Sequence, residues 1–252
     1  MTTSRPHPTP TKRIQKVLIV GAGSVGGYFG AHLFKAGAEG AFLVRPQTYR
    51  QIASNGLRIK SVQGDFTVRP PLIRQVSELS AVDDIECSNL LIILAVKCYD
   101  LSSVLDEIAP LVEKGALILT LQNGVDTEDR ILSYFKKDCL VAGVAYITAR
   151  VAAPGVIEHY RRGTITIGEL SGAKQDGTQG GTQDGTLHVL HVPHVSERAH
   201  QIQQLLSTAG IPCNISGRIR KAKWEKLCWN ATFNPLSVIL DHPISLVLGS
   251  PP

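Results

Sequence analysis

Apolar positions along this chain follow two rhythms. Residues 16–20, 41–45, 90–96 and 116–121 are short, nearly continuous apolar runs of the kind that strands buried on both faces require. Residues 28–36, 101–112, 197–209 and 218–240 repeat their apolar side chains at helical spacing. Strands and helices alternate through the first half, which predicts an α/β fold with a Rossmann-type, doubly wound parallel sheet. Residues 141–168 read as further strand material, with 156–160 and 164–167 as a hairpin, and 211–215 as a short strand or extended link. Between 171 and 186 a near-repeat of G-T-Q with aspartates holds no large apolar side chain. It cannot build a core and is expected to be a flexible insert. The expected division is a disordered tail over 1–15, a Rossmann domain over 16–195, and over 196–252 the start of a helical domain that the chain carries only in part.

Composition narrows the class. With 252 residues the chain can bury a core without staples. Five widely spaced cysteines (Cys87, Cys98, Cys139, Cys213 and Cys228) form no C-x-x-C pair, which predicts a reducing, cytoplasmic compartment and no zinc site. The longest apolar run falls far short of the roughly 18 residues a membrane span needs, so no membrane partner is expected. Residues 1–11 lack the apolar stretch of a secretory signal. The formal charge of +5 is local: residues 1–16 and 218–226 carry +4 each, leaving −3 on the rest. No general basic face follows, and nucleic acid is not an expected partner.

The run Gly21-Ala22-Gly23-Ser24-Val25-Gly26 is G-x-G-x-x-G, placed after a predicted strand and before a predicted helix. In that setting Gly21 makes the tight turn, Gly23 lets a pyrophosphate approach the backbone, and Gly26 lets helix and strand pack closely. Ser24 and Val25 lie in the same loop, ahead of a helix whose N-terminal N–H groups face the phosphates. About 20 residues on, where NAD-binding chains carry an acid for the ribose 2′-hydroxyl, stands Arg45. A guanidinium there suits a 2′-phosphate, so NADPH is the expected cofactor. The alternative is an arginine that simply ends a strand at the surface. Lys97 and Asn123 follow two of the predicted strands and should open onto the same crevice, unless they serve as caps or surface residues.

A second constellation lies in K-W-E-K-L-C-W-N-A-T-F-N-P-L-S, residues 223–237. Lys226, Asn230 and Asn234 fall at i, i+4 and i+8, along one helical face. One ammonium and two carboxamides supply donors and acceptors but no nucleophile, which suits gripping a polar anion and delivering a proton; the alternative is a solvated polar face. A lysine at its ordinary value is protonated at neutral pH and can donate without tuning. Pro235 predicts a kink near Asn234. His188, His191 and His194 have metal-like spacing, but Pro193 and the adjoining insert make a surface loop the better reading; no metal is expected.

These motifs together resemble the ketopantoate reductases (2-dehydropantoate 2-reductases). The resemblance spans residues 16 to about 245, through V-G-A-G-S-V-G-G-Y-F-G, Arg45, A-V-K ending at Lys97, L-Q-N-G-V around Asn123, and W-x-K-L-x-x-N-x-x-x-N-P-L from Trp224. It implies an NADPH-binding Rossmann domain joined to an all-helical domain, with a small 2-oxo acid in the cleft between them. It also implies roles: Gly21, Gly23 and Gly26 for the pyrophosphate, Arg45 for the 2′-phosphate, Lys97 and Asn123 beside the nicotinamide and its ribose, Lys226 as general acid, and Asn230 and Asn234 for the substrate. Two departures stand out. The family often has a glutamine a few residues after A-V-K, where this chain has Asp100, and its helical domain continues beyond N-P-L to supply a serine and a glutamate.

The expected function is therefore reduction of ketopantoate to pantoate, on the route to pantothenate and coenzyme A, or of another small 2-oxo acid. The rival expectation is a shortened, catalytically weak NADPH-binding or interaction protein. With Trp224, Trp229 and Phe233 needing cover, self-association into oligomers is also expected.

Overall fold

The computed structural model describes residues 13–79, 86–170, 196–242 and Gly249. The N-terminal tail up to residue 12, the G-T-Q insert and His188, His191 and His194 lie outside the described residues.

Strand β1 (Lys16–Val20) enters the sheet and alternates its side chains between two cores: Val17 and Ile19 join one buried cluster, Leu18 and Val20 the other. Helix α1 (Ser24–Lys35), β2 (Glu39–Leu43) and α2 (Pro46–Asn55) follow. A short antiparallel pair, β3 (Leu57–Ser61) and β4 (Phe66–Val68), leads to β5 (Leu72–Ile73). Next come β6 (Leu90–Leu94), α3 (Leu101–Glu113), β7 (Leu117–Thr120) and α4 (Thr127–Leu132). All five residues of β6 are buried, as its unbroken apolar run requires, and α3 buries Leu101, Leu105, Ile108 and Val112 along one stripe. The long strands β8 (Leu140–Ala153) and β9 (Val156–Gly168) precede α5 (Glu197–Thr208), β10 (Cys213–Ile215) and α6 (Ile219–Ile239).

The parallel order β5-β2-β1-β6-β7-β8 is the doubly wound arrangement predicted from the alternating pattern. Strand β9 closes on β8 antiparallel, with β3 and β10 running parallel to it. No helix among the described residues is long and apolar enough to cross a membrane.

Two local expectations are corrected. Helix α1 begins at Ser24 rather than near residue 28. Its glycines are tolerated because the helix lies against the sheet: a Cβ on Gly30 would stand 2.3 Å from the Phe42 ring. Segments 156–160 and 164–167 are not a hairpin but parts of the single strand β9. The reversal comes earlier, at Pro154-Gly155, where Gly155 takes φ 77°, and the R-R-G between the two segments is a bulge, with Arg162 at φ 64° and Gly163 skipped in the pairing with β8. Helix α6 runs through Pro235 to Ile239.

The expected boundary at 195/196 meets a shared core. Ala199, Ile202 and Leu206 of α5 and Cys213 of β10 are buried in the same cluster as Val17 and Ile19, and β10 pairs with β9. A clasp joins the two sides of that boundary. Glu169 accepts from the Ser196 hydroxyl and from both Nε, at 2.7 Å, and Nη2 of Arg198. On α6, Trp224, Trp229, Val238 and Ile239 are exposed.

Candidate active site

Because β1, β2, β5, β6 and β7 run the same way, the residues that leave their carboxyl ends meet along one edge. Gly21 turns the chain out of β1 at φ 96°, a conformation that L side chains rarely adopt, and donates its N–H to the Leu43 carbonyl at 3.0 Å. A Cβ on Gly26 would fall 2.1 Å from the Gly21 carbonyl oxygen, so helix and loop approach as closely as hydrogen permits. Gly23 is different: a Cβ there would meet nothing within 4 Å. It faces a cleft of about 460 Å³, whose walls include Gly21, Arg45, Arg74, Lys97 and Asp100. An open space against glycine backbone, at the head of a helix that begins with Ser24 and Val25, fits a dinucleotide pyrophosphate.

Arg45 leaves β2 in an extended conformation, just before Pro46 opens α2. Its Nη2 lies 2.5 Å from Oδ2 of Asp100, which follows β6. Arg74, at the end of β5, adds a second guanidinium to the wall and pairs with Glu78 at 3.2 Å. Sequence reading passed over Arg74, although its place directly after Leu72–Ile73 marks it as a strand-end residue.

A small recess of about 30 Å³ adjoins, lined by Gln122, Asn123, Lys226 and Asn230 among others. Gln122 and Cys98 tie the walls together: Gln122 Nε2 donates to the Val96 carbonyl at 3.0 Å, and Cys98 Sγ to the Asn123 carbonyl at 3.2 Å. Lys226 Nζ reaches from α6 to Asn123 Oδ1 at 2.8 Å and to the Ala145 carbonyl at 2.5 Å. Burial, with a smaller push from the neighbouring Lys223 charge, lowers its pKa to about 8. The ordinary lysine value expected from sequence is thus not kept. One turn earlier, Lys223 makes a buried ion pair with Glu128, a contact between residues 95 apart that no sequence spacing announces.

The predicted site residues therefore divide. Gly21, Gly23, Arg45 and Lys97 share the larger cleft, with Ser24, Val25 and Gly26 at the helix head beside it. Asn123, Lys226 and Asn230 share the recess. Asn234 lies one turn further along α6, exposed, and lines neither.

The family model described as "Ketopantoate reductase PanE/ApbA" matches residues 17–172, and its C-terminal counterpart matches 218–252. A 2-dehydropantoate 2-reductase of a Nostoc species is 28% identical over 227 residues, which cover 90% of this chain. This chain spans about 64% of the length of that relative. The solved structure of 2-dehydropantoate 2-reductase from Geobacter metallireducens superimposes with a TM-score of 0.74 at 32% identity, covering 92% of this chain and 68% of that one. A D-mandelate dehydrogenase solved with NADH and anilino(oxo)acetate has a TM-score of 0.70 at 26% identity, covering 90% and 64%.

Proposed function

This chain belongs to the ketopantoate reductase family of oxidoreductases, and we propose that it serves the NADPH-dependent reduction of 2-dehydropantoate to pantoate. The observation that carries the reading is the position of Lys226. Its ammonium is held by Asn123 and the Ala145 carbonyl, in a recess beside a cleft shaped for a dinucleotide.

Gly21, Gly23 and the head of α1 would hold the pyrophosphate, and Arg45 the 2′-phosphate, while Lys97 lies along the same wall. When bound, the nicotinamide supplies a hydride to the keto carbon. Lys226 supplies the proton that the carbonyl oxygen needs to become a hydroxyl. Two of its three N–H bonds are directed at Asn123 and Ala145, which leaves the third for a ligand in the recess that Lys226 lines. A pKa of about 8 leaves it mostly protonated at neutral pH yet willing to release the proton, and its charge stabilises the developing alkoxide. The Asn230 carboxamide, on the same wall, offers a donor and an acceptor to the substrate's polar groups. We assign Asn234 to the outer end of the substrate path.

The test is steady-state oxidation of NADPH by the full chain with 2-dehydropantoate and a panel of other small 2-oxo acids. Turnover of 2-dehydropantoate that disappears in Lys226→Ala supports the reading. Equal turnover by the variant, or none with any 2-oxo acid, overturns it.

A further inference from the structure

We propose that Asp100 is a specificity-determining residue of the cofactor cleft. Its carboxylate competes with the 2′-phosphate for the Arg45 guanidinium and so holds the preference for NADPH over NADH below what Arg45 alone would give. The inference rests on the assignment of Arg45 to the 2′-phosphate.

Three observations carry it. First, Arg45 and Asp100 arrive from different strands, β2 and β6, and meet at 2.5 Å inside the cleft that Gly21 and Gly23 also line. Any 2′-phosphate that reaches Arg45 must share or replace this partner.

Second, Asp100 is the more firmly held member of the pair. The Asp100 side chain is 24% exposed and that of Arg45 69%. The Asp100 N–H donates to the Lys97 carbonyl at 3.0 Å, its carbonyl accepts from the Ser103 hydroxyl at 2.9 Å, and Arg130 Nη1 pins the neighbouring Cys98 carbonyl at 2.9 Å. Arg45 can turn toward a ligand, but Asp100 stays at the cleft wall and presents a negative charge to the incoming phosphate.

Third, a carboxylate in this region is what a ribose 2′-hydroxyl binds. Dinucleotide-binding folds that take NADH place an acid at the end of the second strand to accept that hydrogen bond. Here the second strand ends in an arginine, and the acid comes from the turn after β6 instead. An unphosphorylated ribose could donate to Asp100 while the Arg45 pair stays intact. A phosphorylated one gains Arg45 only by opening the pair and by lying beside a like charge, so the two dinucleotides are brought closer in affinity. Three further charged groups line this wall: Arg74, paired with Glu78; Glu107, whose carboxylate accepts from the Val76 N–H; and Lys97, whose exposed ammonium is common to the wild type and the Asp100 variants.

The experiment measures calorimetric binding of NADPH and of NADH to the full chain as wild type, Asp100→Asn, Arg45→Ala and the double variant, at one ionic strength. Asn keeps the shape and the helix-capping preference of a residue that stands at the start of α3, and Asp100→Ser provides a second variant with the same preference. Thermal melts confirm folding. Asp100→Asn is expected to tighten NADPH about tenfold while NADH is unchanged or slightly weakened, and most of that gain should vanish in the Arg45→Ala background. An NADPH-to-NADH ratio within about threefold of wild type in both Asp100 variants overturns the proposal. If at the same time Arg45→Ala weakens NADPH, only the role of Asp100 falls. If Arg45→Ala leaves NADPH binding unchanged, the assignment of Arg45 falls and this proposal with it.

Discussion

Lys223 and Glu128 form an ion pair shut away from solvent, their side chains 4% and 2% exposed, and it fastens α6 to α4 directly beside the proposed proton donor. Removing one partner leaves a buried charge without compensation. Glu128→Ala is therefore expected to cost about 3–5 kcal/mol of stability, read from the midpoint of urea unfolding. Replacing both partners with apolar residues (Lys223→Met with Glu128→Leu) should recover most of that loss. Equal destabilisation by the single and double changes would show that the pair contributes more than charge compensation.

Lys226→Ala should lower kcat for 2-oxo acid reduction by at least about 100-fold. NADPH binding, which depends on the neighbouring cleft, should stay within a few-fold of wild type. Turnover close to wild type would move Lys226 out of the chemistry.

The lowered pKa of Lys226 makes two pH predictions. Only the protonated amine can donate, so kcat should fall as pH rises through about 8, and a limb that stays flat to the ordinary lysine range would contradict the assignment. For stability the sign is opposite. The folded-state pKa lies below the unfolded value of 10.5, so the buried ammonium weakens the fold below about pH 8 and that penalty is relieved as pH climbs from about 8 to 10.5. Lys226→Met should remove this pH dependence from the unfolding free energy.

Two neighbouring glycines should fail in different ways. Gly23→Ala puts a methyl group into open space, so the melting temperature should barely move while dinucleotide binding is lost. Gly26→Ala puts a methyl group 2.1 Å from the Gly21 carbonyl, so the fold itself should be destabilised by about 1–3 kcal/mol. Calorimetry of cofactor binding and of melting on both variants separates the outcomes. Cofactor binding by Gly23→Ala at wild-type affinity would mean that the pyrophosphate does not approach there.

The parts of this molecule legible in its sequence are those whose physics is local. Strand, glycine loop and helix around Gly21–Gly26 are set by neighbours in the chain, and the buried strands β1, β6 and β7 by their own apolar runs. Lys226 and Asn230 share a wall because helical spacing puts them there. What sequence hid depends on distant partners. The pairing of Cys213 with Ile165 draws β10 into the sheet, and Arg45 meets Asp100 across 55 residues. The bulge at Arg162 and Gly163 looks like a turn until β8 lies beside it. Strand β3 was readable but missed: Leu57, Arg58, Ile59 and Lys60 alternate buried and exposed, as a half-covered strand should.

The clasp of Glu169 with Ser196 and Arg198 has a consequence for how this chain can change. It holds residues 169 and 196 together, so whatever sequence connects them begins and ends at nearly one point. For a flexible connection between ends held in this way, each doubling of its length adds only about 0.6 kcal/mol to closure. Two anchors this close are what a foreign module needs to be inserted without pulling the sheet out of register, which makes the clasp a port for grafting a reporter onto the protein.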